Sequence, residues 1–213
     1  MRLESPRMES QPSPDVITSD GLRDIVAEHV AAVARALSTL DLSAVERVAR
    51  RLIDARARQA TVYIAGNGGS AATAAHWVND LGKATRTHPS GRMRVMSLSD
   101  NVPWLTALAN DEGYDCVFAE QLENFAQPGD VLVLISCSGN SPNLLAAQEC
   151  ATAAGVQTVG LLGFDGGALR ERVDDVVLVP SEPGAYELVE DVHGAVCHMC
   201  TRALAASLGT DAA

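Results

Sequence analysis

Basic residues are in short supply: the chain holds 16 Lys and Arg against 27 Asp and Glu, a formal net charge of -11. Binding of nucleic acid through a general basic surface needs clustered Lys and Arg, so this class of partner is excluded as a first expectation. No run of 18 uncharged apolar residues occurs, and no membrane span is expected. The five cysteines (Cys116, Cys137, Cys150, Cys197, Cys200) are odd in number, scattered through apolar segments and preceded by no signal peptide. That pattern is expected of reduced thiols in a cytoplasm rather than of a disulfide framework. Cys197 and Cys200 form a C-x-x-C pair, yet no second pair matches it and its surroundings, VCHMCTRALAA, have the pattern of an apolar helix, so structural thiols are expected. Aromatic residues are also scarce, at 4% against 47% apolar residues overall; 213 residues of this composition fit one domain with a substantial core.

The first 19 residues, MRLESPRMESQPSPDVITS, are rich in Pro, Ser and charge without periodicity and are read as a disordered tail, leaving residues 20–210 as the single domain. Apolar residues then recur at helical spacing from Leu22 to Leu37 and from Leu42 to Ala57, with Asp41 or Ser43 as a cap between them. This predicts an N-terminal helical hairpin. Arg47, Arg50, Arg51, Arg56 and Arg58 on its second half are expected to form a solvated face. Beyond it, short β-branched runs at 61–66, 94–99, 131–136, 157–163 and 175–180 alternate with helical stretches at 70–83, 103–110, 115–126, 141–154 and 166–172, and a helix from Leu188 to Ser207 closes the chain. Most of the runs are too uniformly apolar for half-exposed strands, so buried parallel strands in a layered α/β sandwich are predicted.

Two loops carry candidate chemistry. Gly66-Asn67-Gly68-Gly69-Ser70 follows the first strand and opens a helix; Ser136-Cys137-Ser138-Gly139-Asn140-Ser141 follows the third and opens another at Pro142. Glycines permit close backbone approach, helix N-termini offer unpaired N–H groups, and hydroxyls add donors, which together suit a phosphate without a single Lys or Arg. Neither loop matches G-x-x-x-x-G-K-[ST] or G-x-G-x-x-G, so a small phosphorylated molecule is a simpler ligand than a nucleotide cofactor. On the helix after the first loop, His76 and Asp80 are four apart and share a face; on the last helix Glu190 and His198 can line one groove. A carboxylate and an imidazole on each of two helices suffice for proton transfer or for a four-ligand zinc site.

GNGGSAATAAHWVND, ALANDEGYDCVF, ISCSGNS and VEDVHGAVCHM, in this order, resemble the motifs of the SIS sugar-isomerase domain, and within it the phosphoheptose isomerases. The resemblance implies a three-layer α/β/α sandwich of flavodoxin-like type, with a mostly parallel five-stranded sheet behind the helical hairpin. It implies an aldose–ketose isomerase whose pocket is lined by Asn67, Gly68, Gly69, Ser70, Asn110, Asp111, Ser136, Cys137, Ser138, Ser141 and Glu190, with the hydroxyls of ISCSGNS on phosphate. Asp80 falls at the family's catalytic carboxylate and His198 at its catalytic histidine. Zn2+, which some members bind, would lie here among His76, Asp80, Glu190 and His198; no nucleotide cofactor is implied. A homotetramer with sites at subunit interfaces is implied as well. Three residues depart from the family pattern: Asp80 stands for Glu, Glu190 for Gln and Cys137 for Thr. Losing one methylene withdraws the carboxylate by about 1.5 Å. Glu190 adds negative charge. The resemblance therefore also leaves open another phosphosugar as substrate, or a non-catalytic sugar-phosphate sensor or partner-binding protein.

Overall fold

Asp41 starts the second helix as its type predicts: one carboxylate oxygen accepts from the backbone N–H groups of Ser43 and Ala44, and α2 (Leu42–Ala57) follows. The computed structural model describes residues 19–86 and 91–209. The tail read over residues 1–19 lies outside them except for Ser19, which opens α1 (Ser19–Ser38). Both helices of the predicted pair are present. α1 lies against the last helix, α7 (Tyr186–Ser207), and leaves Leu22, Ile25, Val26 and Val30 exposed.

The remaining elements are β1 (Thr61–Gly66), α3 (Gly69–Ala84), β2 (Arg94–Ser97), α4 (Val102–Asp111), α5 (Ala119–Phe125), β3 (Val131–Ser136), α6 (Pro142–Ala153), β4 (Gln157–Phe164) and β5 (Asp175–Pro180). Short 3-10 helices occupy Tyr114–Cys116 and Ala168–Glu171. β2 ends two residues early because the Ser97 hydroxyl accepts from Ser99 N–H and turns the chain. The helical stretch expected over 115–126 is interrupted at Val117 and Phe118, whose side chains are fully buried beneath it.

All five strands are parallel, in the order β2-β1-β3-β4-β5. Alternate strand residues serve opposite layers. Val62, Ile64, Val131, Val133, Ile135, Val159 and Leu161 pack with α2, α3 and α7, whereas Tyr63, Ala65, Leu132, Leu134 and Leu162 pack with α5 and α6. Helices on both faces explain why VLVLIS has no polar alternation: every residue of β3 is buried.

His193, in the middle of α7, is fully buried, and neither ring nitrogen has a well-formed hydrogen bond. Burial pushes its pKa down to about 4, with the backbone at Leu162 offsetting part of the effect. An unfolded His titrates near 6.5, so between those two values the unfolded chain binds a proton that the native state excludes. Stability from this group is fully present above the unfolded value and falls as the pH drops through the window, by about 3 kcal/mol in all. Urea titrations at pH 7 and 4.5 on wild type and His193→Leu should show a flatter pH dependence in the variant. Equal slopes would assign the acid sensitivity to other groups.

Candidate active site

β1 and β3 are neighbours, and their last ladder pair is Gly66 with Ile135. From there the chain leaves in opposite directions: α3 returns on the layer of Ala74, Trp77 and Leu81, α6 on the layer of Leu144, Ala147 and Ala151. This is the switch point of an open parallel sheet, where a crevice forms beyond the carboxyl ends of the strands. A cavity of about 130 Å³ occupies it, lined by Asn67, Ser70, Ile135, Ser136, Cys137, Ser138, Ser141, Leu144, Tyr186 and Glu190. Gly68 and Gly69 shape the loop beneath, as N-cap and first residue of α3. Asn110 and Asp111 do not reach its wall. They end α4 on the surface, where the Asn110 side-chain amide donates to Asp111 Oδ1 at 2.7 Å.

Two hydroxyls of the serine loop have structural duties. Ser136 Oγ accepts from Gly139 N–H at 3.0 Å and Ser138 Oγ from Asn140 N–H at 3.3 Å. Those amides are therefore engaged, while the hydroxyl protons stay available to an anion. Ser141 opens α6 without a side-chain cap. The Cys137 thiol is raised to about 11 by burial and then by the Glu190 carboxylate, and stays neutral at physiological pH.

The second grouping is carried by α3 and α7, which the Trp77 indole joins by donating to Thr201 Oγ1 at 3.2 Å. Asp80 Oδ2 lies 3.4 Å from His76 Nε2 and 3.6 Å from His198 Nε2, and the two rings meet edge to face at 5.2 Å. One ligand atom from each of the three falls within 4.8 Å of the others, which suits a small divalent cation held by two nitrogens and an oxygen. Glu190, the fourth residue of the sequence-derived metal set, does not join this group. It sits two helical turns away along α7, its carboxylate against Gly69, where a Cβ would lie 2.2 Å from Glu190 Oε1. Glu190 belongs to the cavity, and a side chain at position 69 would require its carboxylate to move.

Sequence reasoning missed Tyr186 and Asn143. Tyr186 lines the cavity and stacks edge to face on Phe164 at 5.3 Å. Asn143 lies two residues past the end of the serine loop and is 1% exposed. Its place in the first turn of α6 was a usable signal; Tyr186 offered none. The C-x-x-C pair is structural as expected: both thiols are free and buried, with Cys200 pushed up to about 12 and Cys197 well above its usual value. Of the arginines expected on a solvated face, Arg47, Arg50, Arg51 and Arg58 border a larger groove of about 510 Å³ beside the start of β5, whereas Arg56 is buried and donates to the Gly91 carbonyl at 3.0 Å. In the groove Arg51 donates to Asp175 at 2.7 Å, Arg47 approaches the same carboxylate at 3.4 Å and Arg50 pairs with Glu46.

A small cavity at the switch point of a parallel sheet, beside an imidazole–carboxylate cluster, defines an α/β protein with a site for a small ligand. The sequence pattern of the SIS domain matches residues 27–163. The phosphoheptose isomerase of Thiobacillus denitrificans is 37% identical over 83% of this chain and 91% of its own. That of a Bradyrhizobium strain is 34% identical over 91% and 99%. The solved phosphoheptose isomerase of Neisseria gonorrhoeae superposes with a TM-score of 0.77 at 27% identity, covering 87% of this chain and 97% of its own. The chain belongs to the SIS domain family, and within it is a phosphosugar isomerase of the phosphoheptose isomerase type.

Proposed function

We propose that the enzyme interconverts D-sedoheptulose 7-phosphate and D-glycero-D-manno-heptose 7-phosphate through a cis-enediol. The observation that carries this reading is the shared helix: α3 begins at the cavity and, about three turns further on, presents Asp80 beside His198. That separation suits an extended sugar phosphate anchored at one end and reacting at the other. One member of the Asp80–His198 pair takes the proton from C1 of the ketose while the other delivers a proton to the C2 oxygen. Returning a proton to C2, with loss of the C1 hydroxyl proton, completes the aldose. Zinc is the proposed ion for His76, Asp80 and His198, where it would polarise the carbonyl or enediolate oxygens. Cys137 and Glu190, both departures from the family pattern, line the cavity and are the residues through which another phosphosugar would be selected.

A homotetramer in the cytoplasm is proposed from the same resemblance. Its physical support is the unpartnered stripe Leu22, Ile25, Val26 and Val30 on α1, which packs on the very helix that carries Glu190 and His198. The His76 and His198 side chains, 61% and 57% exposed, leave room for a neighbouring subunit to close the site.

Turnover of a panel of ketose phosphates, with exchange of the α-proton in deuterated water, tests the reaction. Binding without exchange would leave a sugar-phosphate sensor in its place. The cradle has its own test in Ser141→Ala, because this hydroxyl makes no capping bond that the fold requires. Loss of one hydrogen bond to a charged phosphate should raise KM roughly tenfold or more at unchanged melting temperature. An unchanged KM would remove Ser141 from the phosphate.

A further inference from the structure

Asn67 spends its side chain on the protein. Its Oδ1 accepts from Asn143 Nδ2 at 2.9 Å and from the Tyr114 hydroxyl at 3.0 Å, and its own Nδ2 donates to Asn143 Oδ1 at 3.0 Å. Both lone pairs of Oδ1 are taken, so Asn67 has one N–H and its backbone left to offer a ligand. The partners come from opposite sides of the switch point. Asn67 belongs to the loop leading to α3, Asn143 to the first turn of α6, and Tyr114 to the 3-10 helix after α4. Beyond the Gly66–Ile135 ladder pair, no backbone hydrogen bond among the described residues joins the two loops. The reciprocal amide pair is the polar tie across the cavity floor.

We infer that Asn143 is a positioning residue that latches the two phosphate loops together through Asn67, with Tyr114 fixing the orientation of the Asn67 amide. The two loops leave the sheet into different layers, so each is set by a different helix packing. Their hydroxyls and N–H groups act on one anion only if the spacing between them is held. A half-buried amide pair is suited to this: its geometry is directional, and breaking one half leaves the buried polar atoms of Asn143's partner side without their bonds. The His76–Asp80–His198 cluster is built without Asn143.

The role of the latch in catalysis rests on the phosphate reading above, and the experiment separates the two. Asn143→Leu fills the volume of the amide but makes neither hydrogen bond; Asn143→Ala removes both volume and bonds. If the latch acts through its hydrogen bonds, both variants raise KM for sedoheptulose 7-phosphate about tenfold, with a smaller change in kcat, and Leu does not rescue Ala. Hydrogen exchange without ligand is the second readout: the backbone amides at 68–72 and 138–141 should exchange faster in both variants. Tyr114→Phe, at an exposed residue that folding tolerates, should shift both readouts in the same direction by about two- to threefold. Faster loop exchange in a protein whose wild type binds no phosphosugar would keep the latch and overturn the phosphate reading. Tight binding by wild type, with exchange and KM unchanged in the variants or restored by Leu, would overturn the latch.

Discussion

Asp80→Asn and His198→Ala should each lower kcat by about 10²–10⁴-fold while leaving sugar-phosphate binding within a few fold. The expectation follows from where these groups stand. Asp80 Oδ2 lies between two imidazoles on the far part of α3, whereas the cavity proposed to anchor the phosphate lies at its start. Interactions made only as a proton moves lower the barrier without strengthening the bound ground state, so their loss appears in kcat. The double variant should be little worse than the poorer single one, because a pair acting as one unit is already disabled by losing either member. His76→Ala separates proton transfer from metal binding, since it removes a nitrogen donor and leaves both members of the pair. Elemental analysis of protein purified without added metal should find zinc in wild type and little in His76→Ala. Negligible zinc in both would leave the cluster as acid–base groups alone. Asp80→Glu extends the carboxylate by about 1.5 Å. A gain of heptose turnover in that variant would mean that the native pocket is tuned to another substrate. Additive effects of the two losses, or full turnover in either single variant, would remove the pair from the mechanism.

Gly139→Ala should be among the most destabilising single methyl additions in the chain, by about 3 kcal/mol or more. Gly139 has φ +64, and a Cβ there would lie 1.9 Å from the carbonyl oxygen of Gly166, a backbone atom that cannot swing aside. The serine loop and the loop after β4 are pressed together around this point. Leu169 N–H donates to the Gly139 carbonyl at 3.0 Å, and Ala168 N–H donates to Asn140 Oδ1 at 2.8 Å. Pushing them apart breaks those bonds and displaces the Ser136 hydroxyl from Gly139 N–H, so the geometry of the serine loop is lost with the stability. For a chain of this size the loss corresponds to a fall in Tm of about 6–12 °C. Gly184→Ala is the control: Gly184 also has positive φ, at +100, but a Cβ there meets nothing within 4 Å. It carries only backbone strain and should melt several degrees higher than Gly139→Ala. Equal melting temperatures would show that the loop contact yields easily.

Much of this protein is local, and what is local was legible in the sequence. The boundaries of α2, β1, β3 and β5 follow from apolar periodicity, the Asp41 cap and β-branched runs, because each of these acts within a few residues. The two loops that line the cavity were legible for the same reason: Gly and Ser between an apolar strand and a helix start specify backbone geometry without help from distant residues. His76 beside Asp80 needed only the helical repeat. Contacts between distant segments were a different matter. His198 reaches Asp80 because α7 packs on α3, and Glu190 parts from them because its carboxylate lies against Gly69 instead. Helical spacing alone placed Glu190 and His198 near one groove, since it fixes the angle of a side chain about its own axis and not the point along the axis where a second helix crosses. Tyr186 in the cavity wall and the Asn67–Asn143–Tyr114 tie depend likewise on strand order and layer packing. Asn67 and Asn143 are 76 residues apart in the chain, and only the parallel pairing of β1 with β3 brings their amides within hydrogen-bond reach.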